Sequence, residues 1–108
     1  MELTPAQIAI LERLHSRGLE IVEFPMYESA VGVRKGNCAA LLTPAGRNAF
    51  TIQGQPTHLI GGNLSARVVR ADRHYFVRKQ QVLEATPERL AELEAFTAEL
   101  TDAILPVA

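Results

Sequence analysis

Apolar positions fall at steps of three and four near both ends of the chain and alternate along its middle, the periods of helix and strand respectively. At the N-terminal end Ile8, Leu11 and Leu14 form the helical stripe. Ahead of it, Thr4 and Gln7 have the spacing of a capping box, and Pro5 takes the first helical position, where its missing N–H costs nothing. Leu3 and Ile8 flank that cap as a hydrophobic staple. Gly18 is placed for a left-handed residue just past the helix, with Leu19 reaching back to Leu14 as in a Schellman motif. These signals predict a helix from about Pro5 to Arg17. Near the other end Thr86 caps, Pro87 starts, and Leu90, Leu93, Phe96, Leu100 and Ile104 form a second stripe, with Pro106 as its stop.

Between the helices the pattern is one of strands and turns. Glu20–Phe24 is β-branched and aromatic, and Pro25 places it at a sheet edge or bends it. Val31 and Val33 alternate with Gly32 and Arg34, and Gly36-Asn37 forms a two-residue hairpin turn into Cys38–Leu42. That turn pairs Lys35 with Cys38, Val33 with Ala40 and Val31 with Leu42. Pro44–Arg47 reads as a turn, Ala49–Ile52 as a short strand, and His58–Ile60 as another, bracketed by Gly54-Gln55-Pro56 and Gly61-Gly62-Asn63. Leu64–Arg70 and His74–Gln80 make a second hairpin around Asp72-Arg73. A two-residue loop there sets Val68 beside Val77; a three-residue loop sets it beside Phe76.

The expected fold is therefore α+β: an N-terminal helix, an antiparallel meander of about six strands, either open or curled, and a C-terminal helix, with both helices on one sheet face. A length of 108 residues suits one domain over 1–108 and allows a self-sufficient core. The apolar runs are too short to span a membrane. The start of the chain lacks the charged and apolar regions of a secretory signal, and Cys38, the sole cysteine, excludes an internal disulfide. The expected location is the cytoplasm.

Charge adds a partition that the net value of −1 conceals. Residues 1–28 hold five acids against two bases, residues 29–83 eight bases against one acid, and residues 84–108 six acids against one base. Arg34, Arg67, Arg70, Arg78 and Lys79 would dress a solvated sheet, discourage edge pairing and reach acids on the helices. On a sharper reading those five form an anion-binding face for nucleic acid or another polyanion. Single-strand binding needs aromatics interleaved with the cations, and the strand phases do not place Phe50, Tyr75 or Phe76 on the arginine face.

Candidate chemistry is sparse. Cys38 follows a tight turn, and Lys35 across the strand pair would activate its thiol by lowering its pKa. Yet Cys38 shares a face with Val31, Val33, Ala40 and Leu42, the setting of a small buried hydrophobe. His15, His58 and His74 lie far apart, with no metal-ligand spacing to one another or to Cys38, so no metal or other cofactor is expected. Glu92 and Glu94 face different directions on their helix and make no catalytic pair. No nucleophile-elbow, P-loop, dinucleotide or zinc-protease motif occurs. No catalytic residue stands out, and nothing points to an enzyme.

Apolar residues occupy both sheet faces, however. Leu41 lies opposite Val33 and Leu42, Val68 opposite Val69, and Phe76 opposite Val77, while two helices cover one face only. An uncovered apolar face marks an interface. The expectation is a non-catalytic binding or assembly module that forms a homodimer and presents its sheet to a protein or small ligand, with no membrane partner. The alternative is polyanion or single-stranded nucleic-acid binding through the basic sheet face.

Overall fold

The computed structural model of the chain describes residues 2–24, 27 and 29–105. Helix α1 (Pro5–Ser16) is followed by strands β1 (Glu20–Val22), β2 (Val31–Lys35), β3 (Cys38–Ala45), β4 (Ala49–His58), β5 (Ala66–Arg70), β6 (Arg73–Arg78) and β7 (Gln81–Glu84), then helix α2 (Pro87–Ala103). The strands form two antiparallel sheets in sequence order, β1-β2-β3-β4 and β5-β6-β7, rather than one meander, and neither sheet curls. Both helices lie over the same face of the larger sheet.

The caps are formed as their residues dictate. Thr4 and Gln7 complete the capping box of α1, and Thr86 accepts from the Arg89 amide at the start of α2. Gly18 at φ 83° lets the Leu19 amide reach the Leu14 carbonyl at 3.0 Å, and Leu19 is fully buried. The core face of α1 differs from the expected stripe. Gln7, Ile10 and Leu14 are buried, whereas Ile8 is 44% exposed, because the line through residues 7, 10 and 14 faces the sheet and Ile8 is turned off it by one residue's rotation. Gln7 is buried without cost, since its amide donates to the carbonyls of Gly46 and Ala49, both at 3.2 Å. Leu93, Phe96, Leu100 and Ala103 make the buried stripe of α2. Arg13 donates to the carbonyls of Ala103 and Leu105 at its end. The bend expected at Pro25 and the stop expected at Pro106 lie outside the described residues.

In the larger sheet the β2–β3 register is the expected one, Lys35 with Cys38, Val33 with Ala40 and Val31 with Leu42. The next turn falls at Gly46–Asn48, since Pro44 and Ala45 are still paired in the ladder. The short segment expected at 49–52 runs on to His58 as one long strand, β4, which holds Gly54 and Pro56 inside an irregularity. Of the segment expected at 58–60 only His58 belongs to it, and Ile60 bridges Asn63 instead. Gly54 supplies a φ of +69° there, the conformation such bulges require.

The smaller sheet corrects the second hairpin. Ala71 and Asp72, at φ 49° and 64°, form its two-residue turn and set Val68 beside Tyr75, neither of the expected partners. Lys79, at φ 54°, then turns the chain into β7, a strand whose short, mixed sequence gave no periodic signal. Phe76 is fully buried on the inner face of this sheet and, with Leu83, joins the core formed by Val33, Cys38, Ala40, Leu42 and the two helices. On the far face of the larger sheet Leu41 is 7% exposed. It lines a cavity with Tyr27, Gln53, Thr57 and Leu64, so this part of the second face is closed by the chain itself.

Candidate functional site

Chemically distinctive side chains meet at one end of the larger sheet, under the N-terminal half of α2. The Gly36-Asn37 turn delivers Cys38 as the first residue of β3, on the face covered by the helices. What lies opposite it is set by the irregularity in β4. Extended from the Leu41–Gln53 pair, the ladder would put Pro56 beside Cys38. The irregularity takes up two residues, so that Cys38 pairs with His58 and Ala39 with Thr57. A two-residue shift keeps the alternation of faces, and His58 therefore points the same way as Cys38. Glu92 comes down from α2 onto this pair.

The ligand-capable atoms of Cys38, His58 and Glu92 all lie within 4.8 Å of one another. One Glu92 oxygen is 3.5 Å from Nε2 of His58, and the other is 3.5 Å from the amide of Asn37. His58 is only 3% exposed, its ring lies 5.3 Å from that of Phe76, and both its ring nitrogens lack a hydrogen-bond partner among the described residues. Cys38 is fully buried while Glu92 keeps its carboxylate at the surface. Burial first, and then the Glu92 carboxylate, which repels the thiolate and bonds the thiol, together push the Cys38 thiol up to about 12. The expected activator, Lys35, is held by another partner. Its ammonium sits 2.9 Å from Glu99, and the charge that acts on the Cys38 thiol is the Glu92 carboxylate. A neutral thiol with no access to solvent is a poor nucleophile, and the arrangement is chemically a set of soft and borderline donors.

Sequence reasoning singled out Cys38 but missed His58 and Glu92 as its neighbours. Twenty residues separate the first pair, and the only local signal was the Gly54-Gln55-Pro56 stretch, which also reads as an ordinary strand break.

The five basic candidates do not share one face. Arg34 is on the larger sheet and donates to the Gly36 carbonyl at 3.1 Å. Arg67 and Arg78 fall on the Phe76 side of the smaller sheet, and Arg67 bonds the His74 ring at 3.3 Å. Arg70 falls on the opposite side, directly across from Arg73, and Lys79 occupies a turn. The opposite side also carries Val68, Tyr75, Val77 and Val82, as the ladders Val68–Tyr75 and Val77–Val82 require. Val82 is 56% exposed, and a shallow hollow of about 190 Å³ lies between Arg70, Tyr75, Val77 and Val82. Among the described residues no helix is long and apolar enough to cross a membrane. No protein-family model, curated protein or solved structure matches the chain.

Proposed function

We propose that this chain is a non-catalytic assembly module that pairs with a second copy of itself through the outer face of β5-β6-β7. The observation that carries this reading is the row Val68, Tyr75, Val77 and Val82 on the sheet face turned away from the core. The electrostatics of that face favour a second copy as the occupant. Arg70 and Arg73 stand directly opposite each other at one end, an unfavourable pairing of like charges. Glu84 lies beside Tyr75 on the same face. A two-fold rotation carries the Glu84 of one copy toward the arginine pair of the other while the valines meet at the centre.

The size of the patch sets the strength. Three strands about 4.8 Å apart and about five residues long present roughly 250 Å² of projected face, well short of the ~800 Å² per partner of a standard interface. Association is accordingly weak and concentration-dependent. Sedimentation velocity from about 10 to 500 µM, a range chosen for the weak interface class, is the test. The wild-type chain shifts toward dimer within that range, and Val82→Lys stays monomeric with an unchanged circular dichroism spectrum. A monomer throughout, or a dimer indifferent to Val82→Lys, refutes the proposal. The polyanion alternative draws less support, because its five cations are divided between sheets and faces.

A further inference from the structure

We propose that Cys38, His58 and Glu92 form a binding site for one zinc-class divalent cation, with three protein ligands and a fourth position open to solvent beside Glu92. This inference is independent of the self-association reading, since no residue of the outer sheet face takes part in it.

The donor set is the first argument. A thiolate, an imidazole and a carboxylate are the three side-chain ligands that Zn²⁺ takes, and three of them with an open position is its usual solvent-accessible arrangement. Charge is the second. A thiolate and a carboxylate together balance a doubly charged ion, so the occupied site is neutral in the surroundings that Phe76 and the sheet provide.

Geometry is the third. With metal–nitrogen and metal–oxygen bonds of ~2.05 Å, a tetrahedral angle separates the two ligand atoms by about 3.4 Å. The gap between His58 Nε2 and Glu92 Oε2 is 3.5 Å. No hydrogen bond forms across that gap, and it matches one edge of such a tetrahedron. All remaining separations are within 4.8 Å. With sulfur at ~2.3 Å the sulfur edges of the tetrahedron are about 3.6 Å, inside that limit.

The fourth argument is the state of His58. A histidine buried to this degree with neither ring nitrogen satisfied carries an uncompensated desolvation cost at each orphaned nitrogen. Coordination through Nε2 removes one such orphan and fixes the proton on Nδ1. On binding, the S–H bond of Cys38 breaks, a sulfur–metal bond forms, and the proton passes to water, with no change of oxidation state.

The test uses the reduced, metal-free full chain titrated with Co²⁺ and then Zn²⁺. One equivalent of Co²⁺ should give the thiolate-to-cobalt absorption of the near ultraviolet and the intense visible bands of a four-coordinate ion, and Zn²⁺ should abolish both. Cys38→Ser should remove the near-ultraviolet band. Glu92→Gln alters an exposed helix position and keeps the test valid if the buried variant fails to fold. It should weaken binding at least tenfold, the size of effect that even outer ligand partners produce. His74→Gln, remote from the cluster in sequence and on the other sheet, should leave binding unchanged. Absence of the near-ultraviolet band at one equivalent, its persistence in Cys38→Ser, or equal affinity in Glu92→Gln overturns the proposal.

Discussion

Alkaline pH should destabilise this protein through Cys38 in the metal-free state, by an amount fixed by one side chain. The thiol is pushed from an ordinary value of 9.0 up to about 12 in the folded chain. Between these values the unfolded chain has lost the proton and the folded chain retains it. The folded state therefore binds more protons, and stability falls as pH rises. The contribution is intact below about pH 9 and is lost progressively up to about pH 12. At about pH 10, one unit above the unfolded value, the loss is about 1 kcal/mol, and it approaches 4 kcal/mol once both states are ionised. Full burial of Cys38 justifies taking the shift without a large discount for solvent. Lysines and tyrosines also titrate here, so the measurement is a difference. Urea unfolding at about pH 7.5 and pH 10, with a chelator and a reductant, compares wild type with Cys38→Ala. The variant is the weaker protein at neutral pH because it loses buried sulfur. Its deficit should shrink by about 1 kcal/mol at pH 10, since it has no thiol to hold neutral. An unchanged deficit refutes the argument, as does rapid alkylation of the native thiol at neutral pH.

Three further substitutions probe the scaffold away from the site. Gly32→Ala would place a methyl group 2.6 Å from the Val22 carbonyl oxygen and 2.6 Å from a ring carbon of Phe24, and should cost about 1–3 kcal/mol by overpacking. Phe24→Ala should recover only part of that loss, because the backbone carbonyl remains, and a full recovery in thermal unfolding contradicts this account. Gln7→Ala removes the donor to the carbonyls of Gly46 and Ala49 and the acceptor for the Thr4 amide. It should lower stability by about 1–3 kcal/mol, seen as a lower urea midpoint at constant slope.

The parts of the fold that could be read from residues alone are those fixed locally. Thr4 with Gln7, Gly18 with Leu19, and Thr86 with Pro87 each place a helix end by contacts within a few residues. The Gly36-Asn37 turn does the same for the β2–β3 register. What stayed hidden depends on distant chain. Gly54 and Pro56 punctuate a sequence in the same way whether they end a strand or sit in a bulge, and only pairing with β3 selects the bulge. Ala71-Asp72 bears the positive φ values of its turn without a glycine, so the hairpin centre was displaced toward Asp72-Arg73. Leu41 reads as exposed from its phase and is buried because residues from the far ends of loops, Tyr27 and Leu64, close over it. The site was legible at one residue in three, since Cys38 follows a recognisable turn whereas His58 and Glu92 join it only through tertiary register.

That register makes the irregularity in β4 the feature on which the buried cluster depends. A one-residue insertion would have turned the end of β4 over and pointed His58 away from the helices. A regular ladder would have set Pro56 against Cys38. Only an even shift combines the correct face with the correct partner, and the observed one is two residues. The same shift carries Leu59 to the β2–β3 turn, where its amide donates to the Asn37 carbonyl at 2.7 Å. The Asn37 amide in turn faces Glu92. Cys38, His58 and Glu92 are thus tied to one another through main-chain contacts of a single turn, so a local change in the β4 irregularity would reach all three together.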